Sequence, residues 1–283
     1  MIHKKIKIGI SGHKGVLGSH FIKMFGTLKF IPLQVDITKK KQVDNWFIKN
    51  HDIDIFIHLA SVVSLNKLNK KNCYNVNVIG TKNILNAINK AKVNKLKFFF
   101  YSSTSHVYNY KKNSLINEKA TPKPFNYYGK TKLLAEKIIL KFCKKNKINH
   151  SIGRIFSFTS ITQKKDYFFP SLIKKLKSNK DTFTIGSSNA IRNFLHIDDV
   201  CLAIMHIVKS DLKGIYNICS EENLSIQEVV FRVKENLKSN KKIKLYFDNK
   251  INSLKGSNKK IIYSGWKQTK NFNDIIKDYL KYL

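Results

Sequence analysis

The chain has 283 residues, enough to bury a sizeable core in one large domain or two closely joined lobes. A hydrophobic fraction of 42% excludes wholesale disorder. The net charge of +35 comes from 53 Lys and Arg against 18 Asp and Glu, but Arg154, Arg192 and Arg232 are the only arginines and the lysines are scattered. That distribution argues against specific nucleic-acid recognition, which favours arginine forks and a concentrated basic face. Cys73, Cys143, Cys201 and Cys219 lie far apart with no Cys-x-x-Cys spacing and no histidine at a ligand-like offset. Neither a metal site nor a disulfide framework is expected, and a reducing cytoplasm fits. Residues 1–5 lead straight into an apolar run too short for a signal sequence, and no stretch reaches the roughly 18 apolar residues of a membrane span. A soluble, cytoplasmic protein without a membrane partner is expected.

In chain order, short apolar runs alternate with helical periodicity, the pattern of a parallel α/β sheet. Strands are predicted over residues 6–11, 30–37, 53–60, 96–102 and 150–156, and helices over 16–25, 41–50, 76–91 and 127–145. The run Ile53-Asp54-Ile55-Phe56-Ile57-His58-Leu59-Ala60 is apolar enough for a sheet centre covered on both faces. Past residue 157 the pattern loosens. Helices are predicted over 170–177, 198–208, 225–237 and 271–283, with Asp198 and Ser225 as N-caps by residue type. Strands are predicted over 182–185, 192–197 and 215–218, and a polar loop over 249–257. The fold class is α/β, a Rossmann-like doubly wound parallel sheet with a smaller, interleaved C-terminal substrate-binding lobe. The expected division is 1–157, with a return of about 192–212, against 158–283.

Between the first strand and first helix stands Gly12-His13-Lys14-Gly15-Val16-Leu17-Gly18. Glycines at this spacing allow a tight turn, close backbone approach to a pyrophosphate and close helix–strand packing. The helix N-terminus that follows offers N–H donors and a positive dipole end to phosphate. The position directly after a strand and before a helix makes this a dinucleotide turn.

Tyr128-Gly129-Lys130-Thr131-Lys132 sets a phenol and an ammonium on one face of a helix. A nearby Lys⁺ favours phenolate, so the phenol can exchange a proton with a hydroxyl or carbonyl while hydride moves to or from a nicotinamide. The spacing gains its meaning from the dinucleotide turn upstream.

Together these motifs resemble the short-chain dehydrogenase/reductase superfamily, in particular its extended branch of sugar-nucleotide epimerases, dehydratases and reductases. Tyr101-Ser102-Ser103-Thr104-Ser105-His106-Val107-Tyr108 is similar to that branch's Ser-Ser-Ser/Thr-x-x-Val-Tyr segment. The resemblance implies that Thr104 holds the reacting substrate oxygen, with Ser103 as the second candidate. His58-Leu59-Ala60-Ser61 resembles the strand end lining the nicotinamide side, and Asn77-Val78-Ile79-Gly80-Thr81 its Asn-x-x-Gly-Thr helix segment. Pro122 and Pro124 precede Tyr128 as in its substrate-side loop, and the Gly214–Ile218 and Ser225-Ile226 segments resemble its C-terminal elements. Arg192-Asn193-Phe194-Leu195-His196-Ile197-Asp198-Asp199-Val200 is close to a segment whose arginine, in epimerases, contacts the substrate diphosphate. The implied cofactor is NAD or NADP, bound by Gly12, Gly15, Val16, Leu17, Gly18, Asp36, Ile37, Leu59, Ala60, Ser61, Asn77, Tyr128 and Lys132. The implied partner is a nucleotide-sugar substrate, in surface-polysaccharide or deoxysugar biosynthesis, and a homodimer is an open expectation.

Two departures narrow the chemistry. The branch's dehydratases and decarboxylases carry acids just after the Ser/Thr, where this chain has Ser105 and His106, so epimerisation or ketoreduction at a sugar carbon is favoured over elimination. From Gly18 to Asp36-Ile37-Thr38 there are only about eighteen residues, and no acid clearly ends a second strand to hold the ribose 2′-hydroxyl. That compression resembles dTDP-4-dehydrorhamnose reductase-like enzymes, whereas the Arg192–Val200 segment resembles 4-epimerases, and NAD versus NADP stays open. The rival readings are a catalytically idle sensor or scaffold of the same fold and a polyanion-binding protein.

Overall fold

A computed structural model describes residues 6–63, 69–109, 114–248 and 253–282. The expectations for residues 1–5, for 249–252 of the polar loop and for Leu283 of the last helix lie outside the described residues.

In chain order the first half runs β1 (Lys7–Ser11), α1 (Val16–Met24), β2 (Lys29–Pro32), α2 (Lys40–Lys49), β3 (Ile55–His58), α3 (Lys70–Tyr74), α4 (Thr81–Lys90), β4 (Phe98–Thr104), α5 (Tyr127–Lys145) and β5 (Asn149–Ile155). The remainder is β6 (Ser157–Thr159), α6 (Phe168–Leu176), β7 (Thr182–Ile185), β8 (Ile191–Arg192), β9 (Phe194–His196), α7 (Ile197–Lys209), β10 (Gly214–Ile218), β11 (Leu224–Ser225), α8 (Ile226–Asn236), β12 (Lys242–Leu245), α9 (Lys259–Tyr263) and α10 (Phe272–Leu280). Six strands form a parallel sheet in the order β10-β5-β4-β3-β1-β2. This is the doubly wound α/β fold. The strand order reverses between β1 and β3, and in such sheets ligands bind outside the carboxyl ends of the strands at that switch point. No described helix is long and apolar enough to cross a membrane.

Two compact units divide the chain. The first is Met1–Tyr108, Thr121–Arg154 and Cys201–Tyr216, and the second is Asn109–Ala120, Ile155–Val200 and Asn217–Leu283. In the first, alternation along the strands turns Phe56, Phe99, Tyr101 and Ile152 to one sheet face. There they meet Val43 and Phe47 of α2, Ile84 and Ile88 of α4, and Ala135 and Ile139 of α5. In the second, Phe169, Leu172, Ile173 and Leu176 of α6 pack with Val229, Val230 and Val233 of α8 and Ile275, Ile276 and Tyr279 of α10.

Several predicted elements change extent for identifiable reasons. The helix expected over 76–91 begins at Lys70 and passes through a π-helical turn, Asn75–Gly80, before α4. At that turn a Cβ on Gly80 would sit 2.6 Å from the Ile37 side chain, so the missing side chain admits the β2–α2 loop. The strand expected over 30–37 stops at Pro32, and Asp36 turns the chain by accepting from the Thr38 N–H (2.9 Å) and hydroxyl (2.8 Å). The strand expected over 192–197 splits into β8 and β9, because the Asn193 amide bonds Ser220 O, Glu222 O and Asn223 Oδ1. Asp198 is not an N-cap: α7 starts at Ile197, and His196 Nδ1 accepts the Asp198 N–H at 3.1 Å. Ser225 does cap α8, in a capping box with Glu228.

Phe56 is fully buried at the middle of the sheet, and its ring fills the space that a Cβ on Gly9 would need. Phe56→Ala is expected to destabilise the protein by about 3–5 kcal/mol. Urea denaturation would read this as a lowered midpoint with an unchanged slope.

Candidate active site

The glycine turn lies at the switch point. Gly12 adopts φ +77, and a Cβ there would come within 2.5 Å of Ala60 N, so the ends of β1 and β3 touch through backbone. A Cβ on Gly18 would stand 2.1 Å from Gly12 O, which is how the start of α1 packs onto the turn. Gly15 is exposed, with only Gly12 O near its Cβ position, and as the N-cap of α1 it supplies no side-chain bond. An exposed helix start without a side-chain cap, reached through glycines, is a cradle that fits a pyrophosphate. The His13 Nδ1 in this turn is buried without a partner.

Beneath the turn a polar network joins three chain segments. Thr81 Oγ1 donates to Asn77 O (2.7 Å), so His58 Nε2–H donates to Thr81 Oγ1 (3.0 Å) and Nδ1 accepts the Ser11 hydroxyl (2.6 Å). Ser11 Oγ in turn accepts the Ala60 N–H at 3.3 Å. Burial pushes the His58 imidazole down to about 3, which keeps this tautomer neutral. Asn77 Oδ1 accepts from Val62 N (2.8 Å) and Ser61 Oγ (3.1 Å), while Nδ2 donates to Val62 O and Thr131 Oγ1, both at 3.0 Å. Asn77 therefore braces the segment after β3 against α5. Asp36 is exposed and Ile37 buried, and the two bonds from Thr38 hold the Asp36 carboxyl below its ordinary range.

The Tyr–Lys pair stands on α5. Asn126 caps this helix, its Oδ1 accepting the Gly129 N–H at 2.7 Å while its Nδ2 meets His106 Nδ1 at 2.7 Å. A Cβ on Gly129 would stand 2.0 Å from His106 O, so the glycine after Tyr128 lets α5 approach the turn Ser105–Val107 directly. The His106 ring packs edge-on against the Tyr128 ring, centroids 5.7 Å apart. Thr104 ends β4 and caps that same turn, accepting the His106 N–H at 3.3 Å. Thr104 and Tyr128 thus both contact His106, the first at its backbone N–H and the second at its ring. Ser103 faces the other way: strand alternation turns it with Tyr101 toward α5, where its hydroxyl donates to Glu136. Thr104, the next residue along β4, has its side chain on the opposite face of the strand.

Lys132 is almost wholly buried, with Nζ 4.3 Å from the centre of the Tyr101 ring. Burial pushes its ammonium down to about 7, against the opposing pull of Glu136 and Cys73. Glu136 forms a buried two-bond pair with Arg154, whose Nη1 also donates to the Tyr108 hydroxyl at 2.9 Å. None of the motifs described above includes Glu136 or Arg154. Their signals were a carboxylate one helical turn past Lys132 and a lone arginine inside the apolar strand around Ile152. Arg192 lies in the second unit on β8, its Nη1 donating to Ile191 O at 2.9 Å. Also in that unit, Asp199 is fully buried and accepts from Thr269 N, Thr269 Oγ1 and Lys270 N.

Fold and site together define a Rossmann-type dinucleotide protein carrying a Tyr–Lys pair beside a strand-end threonine. The chain belongs to the NAD dependent epimerase/dehydratase family, matched over residues 8–219. It is 26% identical over 234 residues to the GDP-6-deoxy-D-talose 4-dehydrogenase of Aggregatibacter actinomycetemcomitans, covering 79% of this chain and 78% of that protein. It is 28% identical over 269 residues to the dTDP-D-glucose 4,6-dehydratase of Dictyostelium discoideum, covering 80% of this chain but only 61% of that protein. Its fold matches that of RMD from Pseudomonas aeruginosa, solved with NADPH, with a TM-score of 0.87 at 20% identity over 98% of both chains.

An ordinary lysine holds its proton to 10.5, so between about 7 and that value the unfolded chain binds the proton that folded Lys132 has lost. The cofactor-free protein therefore gains stability as pH rises through that window. Lys132→Met removes this dependence. The expected excess in melting temperature of the variant over the parent is widest below pH 7 and closes as pH approaches 10.5, checked by thermal melts across that range.

Proposed function

We infer that this protein is an NAD(P)-dependent oxidoreductase that acts at a nucleotide-sugar carbon, C4, as a 4-ketoreductase or 4-epimerase. The observation that carries the reading is the arrangement of Tyr128 and Thr104 around His106, with Lys132 one turn along α5. Thr104 orients the reacting substrate oxygen through its hydroxyl. Tyr128 gives or takes the proton at its phenol oxygen, and Lys132 favours the phenolate and holds the nicotinamide ribose. When bound, NAD or NADP supplies the hydride acceptor or donor. Gly12, Gly15, Val16, Leu17 and Gly18 would hold its pyrophosphate, Asp36 and Ile37 its adenosine end, and Leu59, Ala60 and Ser61, braced by Asn77, its nicotinamide side. Arg192 in the second unit carries the guanidinium assigned to the substrate diphosphate.

The turn after Thr104 supports one proton moved against one hydride. Ser105 and His106 stand where elimination needs acids, and the His106 ring is occupied by Asn126, Phe125 and Tyr128. The relative from Aggregatibacter is named for oxidation at C4, which agrees with this reading, whereas the Dictyostelium relative is named a dehydratase.

Mass spectrometry of the purified protein is expected to find a bound dinucleotide. With a 4-keto nucleotide sugar, stoichiometric NADPH oxidation identifies a reductase. Interconversion of C4 epimers with retained NAD identifies an epimerase. Tyr128→Phe is expected to lower kcat by about 10²–10⁴-fold in either assay, the range for losing a general acid–base. Failure to bind any dinucleotide would overturn the reading.

A further inference from the structure

The turn that carries Thr104 is tied at both flanks to one buried ion pair. On its entry side, Ser103 Oγ donates to Glu136 Oε1. On its exit side, the Tyr108 hydroxyl accepts from Arg154 Nη1 at 2.9 Å, with the guanidinium 4.8 Å from the Tyr108 ring centre. Glu136 and Arg154 meet through Nε–Oε1 at 3.1 Å and Nη2–Oε2 at 2.7 Å, and the two residues are 1% and 2% exposed. On α5, Glu136 follows Tyr128 and Lys132 at successive steps of four residues, so all three share one helix face. The pair thus joins the helix bearing the phenol to both ends of the segment bearing the hydroxyl.

Stability alone is a poor account of this arrangement. Well-packed apolar side chains in place of a buried ion pair usually stabilise a protein as much or more, because two charges must be stripped of water. What an apolar contact lacks is direction. A two-bond guanidinium–carboxylate contact admits one geometry, and hydrogen bonds from Ser103 and to Tyr108 fix the strand end and the following turn against it.

We propose that the Glu136–Arg154 pair is a positioning device for the reaction, holding the Thr104 hydroxyl and the Tyr128 phenol at the spacing that proton transfer requires. It acts through Ser103, Tyr108 and α5. The proposal rests on the roles given above to Thr104 and Tyr128. Placing Ser103 in this device also gives that hydroxyl a function other than substrate contact.

Because Glu136 also faces Lys132, the device is best tested at its two ends, where no charge changes. The assay is steady-state turnover of the full chain with its dinucleotide, with Tyr128→Phe as control. Ser103→Ala and Tyr108→Phe are each expected to lower kcat by about 3- to 10-fold and the double variant by about 10- to 100-fold, since small misplacements at a reacting centre cost that much. Substrate KM and dinucleotide affinity should stay within about twofold of the parent, because binding is not what the ties provide. Ser103→Thr, which restores a hydroxyl, is expected to recover kcat. Glu136→Met with Arg154→Met should stay folded and lose kcat like the double variant; if it does not fold, the end-point variants decide by the same criterion. Parental kcat in Ser103→Ala/Tyr108→Phe, or a loss confined to KM, would overturn the proposal. If Tyr128→Phe itself retains turnover, the catalytic reading fails first. If Tyr128→Phe is inactive while the end-point variants are not, only the positioning role fails.

Discussion

Keeping the Lys132 amine, protonated below about 7, inside the protein is the constraint from which much of the first unit's polar interior follows. A buried cation needs something electron-rich nearby, and the Tyr101 ring face and the carboxylate of Glu136 are both within its surroundings. Glu136 would itself be an uncompensated buried anion without Arg154. Arg154 carries more donors than one carboxylate uses, and Tyr108 takes another. Each partner answers a cost created by the one before it, and the sequence of answers runs from α5 through β5 to Tyr108, just past the turn that follows β4.

The second organising requirement is backbone proximity. Gly12 against Ala60, Gly18 against Gly12 and Gly129 against His106 are three places where a side chain would separate segments that the site needs together. The first two bring β1, β3 and α1 to the switch point. The third seats α5 on the turn that follows Thr104. The Tyr-Gly-x-x-Lys spelling thus combines two chemical residues with one whose contribution is the lack of a side chain.

How far the sequence disclosed this depends on whether a feature is local. The sheet, its helices, the glycine turn and the Tyr128–Lys132 face were legible because each is written within a few consecutive residues as periodicity or spacing. The run Ser102-Ser103-Thr104 left two candidate hydroxyls, and the pleat separates them: residues one apart face opposite sides, and Ser103 shares its side with Tyr101. The Glu136–Arg154–Tyr108 network was not legible, since its members come from three separate segments and pair only after folding. Asn193 shows the same limit in the second unit. The apolar residues around it read as one strand, and its amide breaks that strand by reaching residues some thirty positions away.

The short β1–β2 connection has a consequence for behaviour in concentrated solution. Among the described residues no strand pairs outside β2, which is one margin of the sheet, and an open margin is a template onto which another chain can add. Here that margin is only four residues long, opens with the exposed charge of Lys29 and closes with Pro32, which has no N–H to offer. The Pro32 carbonyl is already taken by the Trp46 indole at 3.1 Å. The short run from α1 to Asp36 thus leaves a rim that is short, charged and partly spent, and so resists edge-to-edge association.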